Sequence, residues 1–551
     1  MHNSGYIYLV MKKIIILSLF IFLPFWGFGQ FLNNFYGSLE SVGQYYVDDN
    51  KIANLGDIDF RSNNYLNFRY IHKNLSVQIQ LESYIEERIL GYSPVFDKKI
   101  GLAALSLSYN FKKIEAIVGS FHDQFGSGLL FRSWEDRALG LNNSLFGAQI
   151  KYYPQDKIEI TAMAGKQRNG FELSEGSIFG LDFKVDVTNK FNFSLGYLNR
   201  YQKLENNPNN IPDHTNLYSA RVNYFGNSFY GNLEYVYKGK DALVEFGNVI
   251  ESRMFTGNAL LFNLGYFHKG FGIDATFRRL ENMAMYTDRE AYGNIYNELV
   301  VNYLPALTKQ HNLILSSIYV YQSQPQLNFI PPGKAGEIGQ QIDMFYKFTN
   351  NNSLAGKFKT ELALNYSSWY GLDAIFDFEN LEYSAEYFSY GTKYYSDLNF
   401  ELRNEWSNNW STTLTLIHQF YNKQFLESAT GSASSDIIGL DLFYNWKGTK
   451  KFHLQLEHLW NDDDKKNWAA ALVEYHFYKN FSVYVSDLYN YGNEHPVERI
   501  HYYNFGGSFR KNKTRFSINY GRQRGGLLCV GGVCRFVPNA NGLSFILNVF
   551  I

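Results

Sequence analysis

The chain has 551 residues, a formal net charge of -1 and 18% aromatic residues, with 44 Tyr and 47 Phe set against 45 Gly, 11 Pro and 2 Cys. The balanced charge gives no reason to expect nucleic acid as a partner, and a mean hydropathy of -0.29 with no second long apolar run excludes a helical membrane protein. An aromatic excess on a polar average suits a β-barrel held between two interfacial girdles.

The N-terminus reads as an export signal. Lys12 and Lys13 precede an apolar run over 14–28 that ends on the small residues Gly27 and Gly29. Met11 is the expected start and cleavage is expected before Gln30, which makes 1–29 the signal peptide and 30–551 the barrel. No Cys follows the run to carry a lipoprotein anchor. The apolar run is shorter than the roughly 20 residues a spanning helix needs.

Period-two alternation then begins. Leu75, Val77, Ile79, Leu81 and Ile85 alternate with Ser76, Gln78, Gln80, Glu82 and Glu86. The pattern recurs at Phe179, Leu181, Phe183, Val185 and Val187, and again at Ile438, Leu440, Leu442, Tyr444 and Trp446. Alternation alone fits a soluble sandwich or a membrane barrel, but the connections separate the two. Tight turns are expected at HKN (72–74), NFKK (110–113), YPQD (153–156), TNK (188–190), FGNS (225–228), HKG (268–270), TKQ (308–310), TNNNSLAG (349–356), SNN (407–409), KGTK (447–450), YKN (478–480) and RKNK (510–513). Each joins an even strand to the next odd one, while every odd-to-even connection is longer.

That parity predicts an all-β, transmembrane, antiparallel up-and-down β-barrel of about 26 strands (about 22 to 28), with short periplasmic turns and long extracellular loops. Aromatics crowd the turn end, as at Tyr109, Phe111, Tyr152, Phe225, Trp406, Trp410, Trp446 and Phe481. The chain ends with Leu543, Phe545, Leu547, Val549 and Ile551 on one face, a partial match to the strand signal read by barrel-assembly machinery, with Phe550 penultimate. A first strand near Phe35 leaves no room for the N-terminal plug of a TonB-dependent transporter. A barrel this wide cannot stand empty, so its own loops or a partner must fill it.

Few motifs carry chemistry. In LLCVGGVCRF a two-residue turn at Gly531 and Gly532 would set Cys529 opposite Cys534, where a disulfide can close; metal ligation and free thiols are the alternatives. The connection 121–147 is too apolar for a solvated loop. Its Asp123, Arg132, Glu135, Asp136 and Arg137 either line a lumen constriction or pair with one another in a surface loop. His122, Asp123 and Ser127 lack the spacing of a hydrolase site. The run Asn461, Asp462, Asp463 and Asp464 lacks a calcium loop's spacing and reads as a turn, and His453 and His476, near Glu457 and Glu474, read as lumen residues rather than metal ligands. No cofactor and no catalytic residue are expected.

Several strings, DQFGSGLLFRSWEDRALGLNNSLFG, FRRLENM, NYLPALTKQH, GEIGQQIDMFYKF and GRQRGGLLCVGGVCRFVPNANG, resemble an uncharacterised family of Bacteroidota outer-membrane β-barrels, a domain of unknown function. The resemblance implies fold and location in the outer membrane, with its lipid as a partner, and carries over no catalytic residues. The leading expectation is a non-enzymatic outer-membrane channel or transport-associated barrel with a mixed-charge lumen and unknown substrate. The alternatives are an assembly barrel that docks a surface lipoprotein or secretion component, and a barrel hydrolase.

Overall fold

In a computed structural model, residues 34–550 are described, except 53–57, 91–98, 205–206, 208–209, 246–247, 291–298, 303, 350–352, 447–449 and 531–532. The expected signal segment, Gly531, Gly532 and Ile551 therefore lie outside the described residues. Twenty-four strands pair antiparallel in chain order into one ring, a 24-stranded sheet. Phe35–Tyr46 pairs with Phe60–His72 on one side and with the last strand, Ala540–Phe550, on the other, so the ring is closed.

One end of the ring is tightly turned because the residues there accept the left-handed backbone that a two-residue hairpin demands. Lys73, Lys112, Lys269 and Asn512 have φ of 51°, 49°, 46° and 52°, and Gly270 follows with 86°. Both described chain ends lie at this end of the barrel. The opposite end carries the long connections, though not all of them are loops. Ile158–Asn169 meets Glu172–Asp186, and Phe229–Glu245 meets Asn248–His268, across only a few residues. There the strands themselves run on: Asn248–His268 has 21 residues and Glu382–Glu405 has 24, well beyond the roughly 9 to 11 that cross a bilayer.

The pleat sends successive side chains to opposite faces, and the outward face is apolar. Leu107, Val118, Ile150, Leu181, Leu195, Leu398, Leu416, Leu440, Val483 and Ile518 are all exposed. A continuous apolar belt of this kind is the surface of a barrel that faces lipid. The expected girdle is present at the turned end, where rings on neighbouring strands pack together: Phe35 with Tyr70 at 4.8 Å, Phe191 with Tyr224 at 4.9 Å, Trp410 with Tyr444 at 4.4 Å and Phe481 with Phe509 at 4.6 Å between centroids.

Twenty-four strands fall within the expected range of about 22 to 28, two below its central value of about 26. Two apolar stretches between Glu281 and Gly336 are not wall strands, and TKQ at 308–310 is not a turn at the barrel's end. The described residues of the connection 282–335 fold inward from the wall. Val301 (1% exposed), Leu313 (5%), Leu315 (0%) and Tyr321 (1%) are as buried as any wall residue. The barrel thus contains a plug made from its own loops rather than from a separate domain.

Candidate functional site

The plug has two parts. Segment 122–144 packs Phe125, Leu129, Leu130 and Phe131 against the inward-facing Met163, Ile178, Leu198, Leu217, Val236, Ala259 and Leu280 of the wall, and Met283, Met285 and Val301 of the second segment complete the cluster. The second segment, 282–335, seats Leu313, Leu315, Ile318, Tyr319 and Tyr321 against Trp369, Tyr394, Tyr395, Ile417, Tyr421, Ile437 and Leu459. Wall glycines make room for this contact. A Cβ at Gly196 would lie 2.5 Å from a methyl carbon of Leu130, and one at Gly439 would lie 2.5 Å from a methyl carbon of Leu313.

Polar ties hold the plug in register. Both Glu457 carboxylate oxygens accept backbone N–H groups, from Ile314 and Leu315, each at 2.8 Å. The Lys309 ammonium meets Glu401 at 2.7 Å, the Trp369 indole donates to the Leu307 carbonyl at 3.1 Å, and Gln455 donates to the Asn312 carbonyl at 3.0 Å. Glu337 accepts from Arg278 at 2.6 Å, from the Ser323 hydroxyl at 3.0 Å and from the Gln324 N–H at 2.7 Å. Nearer the long-loop end, Asp241 pairs with Arg200 at 2.7 Å and with Arg289 of the plug at 3.0 Å. These pairs are buried, so removing one partner would strand a charge in a dry site. His311 sits among them with its Nε2 3.9 Å from Asp397 and its Nδ1 3.9 Å from Glu401. Burial pushes its imidazole down to about 4, with the Lys309 ammonium acting in the same direction.

The five charges singled out in 121–147 face different partners. Asp123 accepts from Gln149 at 2.5 Å and lies 3.2 Å from Lys151, both on the wall. The Arg132 N–H donates to Val301 at 3.0 Å, and its guanidinium lies 4.9 Å over the Trp134 ring. Glu135 accepts from Gln80 at 2.9 Å and from Arg137 at 3.0 Å. Arg137 reaches Glu40 at 2.9 Å and stands 4.6 Å over the Tyr65 ring. Asp136 is turned to local work, accepting from the Leu139 N–H at 3.0 Å.

The hydrolase constellation is not assembled. His122 contacts Asn142 at 3.2 Å, Asp123 is held by Gln149 and Lys151, and the Ser127 N–H donates to Glu234 at 3.0 Å. Asp463 and Asp464 likewise take ordinary partners, the Ser434 N–H at 3.0 Å and Lys423 at 2.8 Å. His453 meets Asp441 at 2.8 Å and His476 meets Glu474 at 3.1 Å, and no group of three possible metal ligands occurs among the described residues. In the hairpin Gly526–Val530 and Val533–Val537, the backbone register sets Cys529 opposite Cys534.

The plug does not touch the whole wall. On its own side the inward polar residues are sealed, with Asn365, Ser367 and Glu337 at 0% exposure. On the other side, along the last strands up to the seam, several small polar residues of the inward face are half-exposed. Ser508 pairs in register with Ser517 and Gly506 with Asn519; Ser517 then faces Ile546, and Asn519 faces Ser544. A cavity of about 590 Å³ separates the plug at 308–321 from Ser486, Asp487, Leu488 and Gln523 of this sector. The missed signal was in the wall, because Ile178, Leu198, Leu217, Val236 and Leu280 break the polar inward face where the plug docks.

Among solved structures, the chain is similar to the translocation pore of the P pilus usher PapC (8% identity, 94% of this chain and 99% of that one, TM-score 0.45). It is also similar to OccK11 of Pseudomonas aeruginosa (12%, 78% and 96%, 0.37) and to the siderophore receptor PirA of the same organism (7%, 94% and 80%, 0.41). A search of curated proteins finds no match. The model of a family of unknown function, DUF6029, matches residues 11–551, and the chain belongs to that family.

Proposed function

We propose that this chain is an outer-membrane channel whose bore is narrowed to one side by a plug of its own loops, and that small polar solutes pass along the half-exposed sector at the seam. The observation that carries the reading is the contrast within one lumen: polar wall residues are sealed under the plug, while Ser508, Ser517, Asn519 and Ser544 opposite it stay open to water. The apolar belt and the ring pairs at the turned end support an outer-membrane location. Export through a cleaved signal at 1–29 belongs to the same reading. So does a Cys529–Cys534 disulfide stiffening the hairpin above the cavity, for which alkylation should reach both thiols only after reduction.

The charges of Asp123, Arg132, Glu135 and Arg137 then brace the plug and border the path; they do not form a ring of one sign, so strong ion selectivity is not expected. Conductance of the refolded protein in planar bilayers tests the reading. Discrete steps are expected, and Asn519→Trp should cut them several-fold by narrowing the open sector. Absence of steps at every voltage, with heat-modifiable gel migration showing an intact barrel, would remove the channel reading.

A further inference from the structure

A second cavity, of about 710 Å³, opens among the long connections on the other face of the plug. Its floor is plug, where Asn302, Ser323 and Gln324 are buried; its rim is exposed at Ile330, Pro331, Thr430 and Gly431. The residues that build it form a cup at the mouth, on the end of the barrel opposite both described chain ends.

The lining is amide-rich for a local reason. Residues 322–328 read QSQPQLN, and Pro325 accepts at its carbonyl from the N–H groups of Met283 (2.8 Å) and Ala284 (3.2 Å), which pins the segment across the mouth. Gln324 is the structural member of the set. Its Nε2 donates to the Gln322 carbonyl at 2.9 Å, and its Oε1 accepts from Gln326 at 3.0 Å and from Lys334 at 3.1 Å. The side chains of Gln322 and Asn328, by contrast, are half-exposed in the lining, and the buried Asn302 Oδ1 beside them has no hydrogen-bond partner among the described residues. A buried amide oxygen left unpaired beside a cavity calls for a donor, and the two half-exposed amides next to it can both donate and accept.

The cup carries one charge of each sign, Glu245 and Lys334. Glu245 accepts from the Phe329 N–H at 2.9 Å. Lys334 is engaged with Gln324, and burial pulls its ammonium down to about 8. Tyr286 adds an aromatic surface. The carboxylate and the ammonium balance, so a charged solute finds no net counter-charge here, whereas a ring of hydroxyl groups would find donors and acceptors in pairs and an aromatic face for its C–H side.

We infer that this cup binds a neutral polyhydroxylated solute, of the oligosaccharide class, at the outer face of the plug. The inference extends the channel reading by giving it a substrate class, and it rests on that reading only for direction of travel, not for binding. The test uses the full-length protein in detergent on an array of neutral and acidic oligosaccharides, followed by calorimetry with the best neutral glycan found. Retention of neutral glycans is expected, with affinity about tenfold weaker in the Gln322→Ala, Asn328→Ala double variant. The control is Leu181→Ala, on the outward face of the wall and away from plug and cup, which should leave affinity unchanged. No retention of any neutral glycan, retention of acidic glycans alone, or affinity unchanged in the double variant would overturn the inference. Bilayer conductance measured in parallel keeps the two ideas apart: binding without conductance removes the channel and leaves the cup, and conductance without binding does the reverse.

Discussion

The Glu457 carboxylate is the most exposed point in the plug's attachment to failure, because it alone satisfies the Ile314 and Leu315 N–H groups that begin the short 3₁₀ turn Leu315–Ser317. Glu457→Ala would orphan both donors at a buried site, at a cost of about 1 to 3 kcal/mol each. Channel openings should become longer and larger in that variant while gel migration stays that of a folded barrel; Glu457→Gln, which keeps one acceptor, should fall between. His311 makes docking depend on acidity. Its seated form is neutral, since its value is lowered from 6.5 to about 4. At His311 the seated form therefore binds fewer protons than the released one between those values, so this residue's contribution is complete above 6.5 and is lost as pH falls toward 4. His311 should therefore speed hydrogen exchange of 299–324 as pH falls through that window, and His311→Phe should exchange more slowly than the parent at its acid end. None of this was legible in sequence, where Glu457 and His311 were two more polar residues with no sign that they would meet across the lumen.

At the scale of elements, the plug explains why the strand count came out high. Around Leu313 and Leu315 the chain carries enough apolar residues at strand-like spacing to pass for wall, and TKQ resembles the turns that do cap strands. What distinguishes the segment is burial on all sides, which local periodicity cannot report. The wall carried the complementary clue: Ile178, Leu198, Leu217 and Val236 stand at 0% exposure on an inward face that should be polar throughout. Replacing 299–324 by a short Gly/Ser linker should leave the barrel closed, since every wall strand pairs with its chain neighbours, and should raise single-channel conductance several-fold. A barrel that no longer migrates as folded after this deletion would instead mean that the plug is part of what holds the ring round.

For the molecule as a whole, parity of the connections and the girdle were enough to foresee an up-and-down barrel with both chain ends at the tight-turned end, because hydrogen-bond geometry and lipid impose those features on the sequence itself. Leu440, outward on Ser432–Trp446 and 38% exposed, tests the lipid assignment. Leu440→Arg should cost about 2 to 4 kcal/mol in vesicle unfolding titrations if it lies near the bilayer midplane, whereas a water-facing site would tolerate it. The closure between Phe35–Tyr46 and Ala540–Phe550 has a temporal meaning as well. The larger plug segment, 282–335, and most of the wall that grips it come from the middle of the chain, while 122–144 reaches the first strand, among the described residues, only through Arg137 and Glu40. The sheet can wrap its plug while still an open, curling ribbon, and only then zip its first and last strands together. No loop need be threaded into a finished ring, and the seam that shuts last is the one beside which water is left.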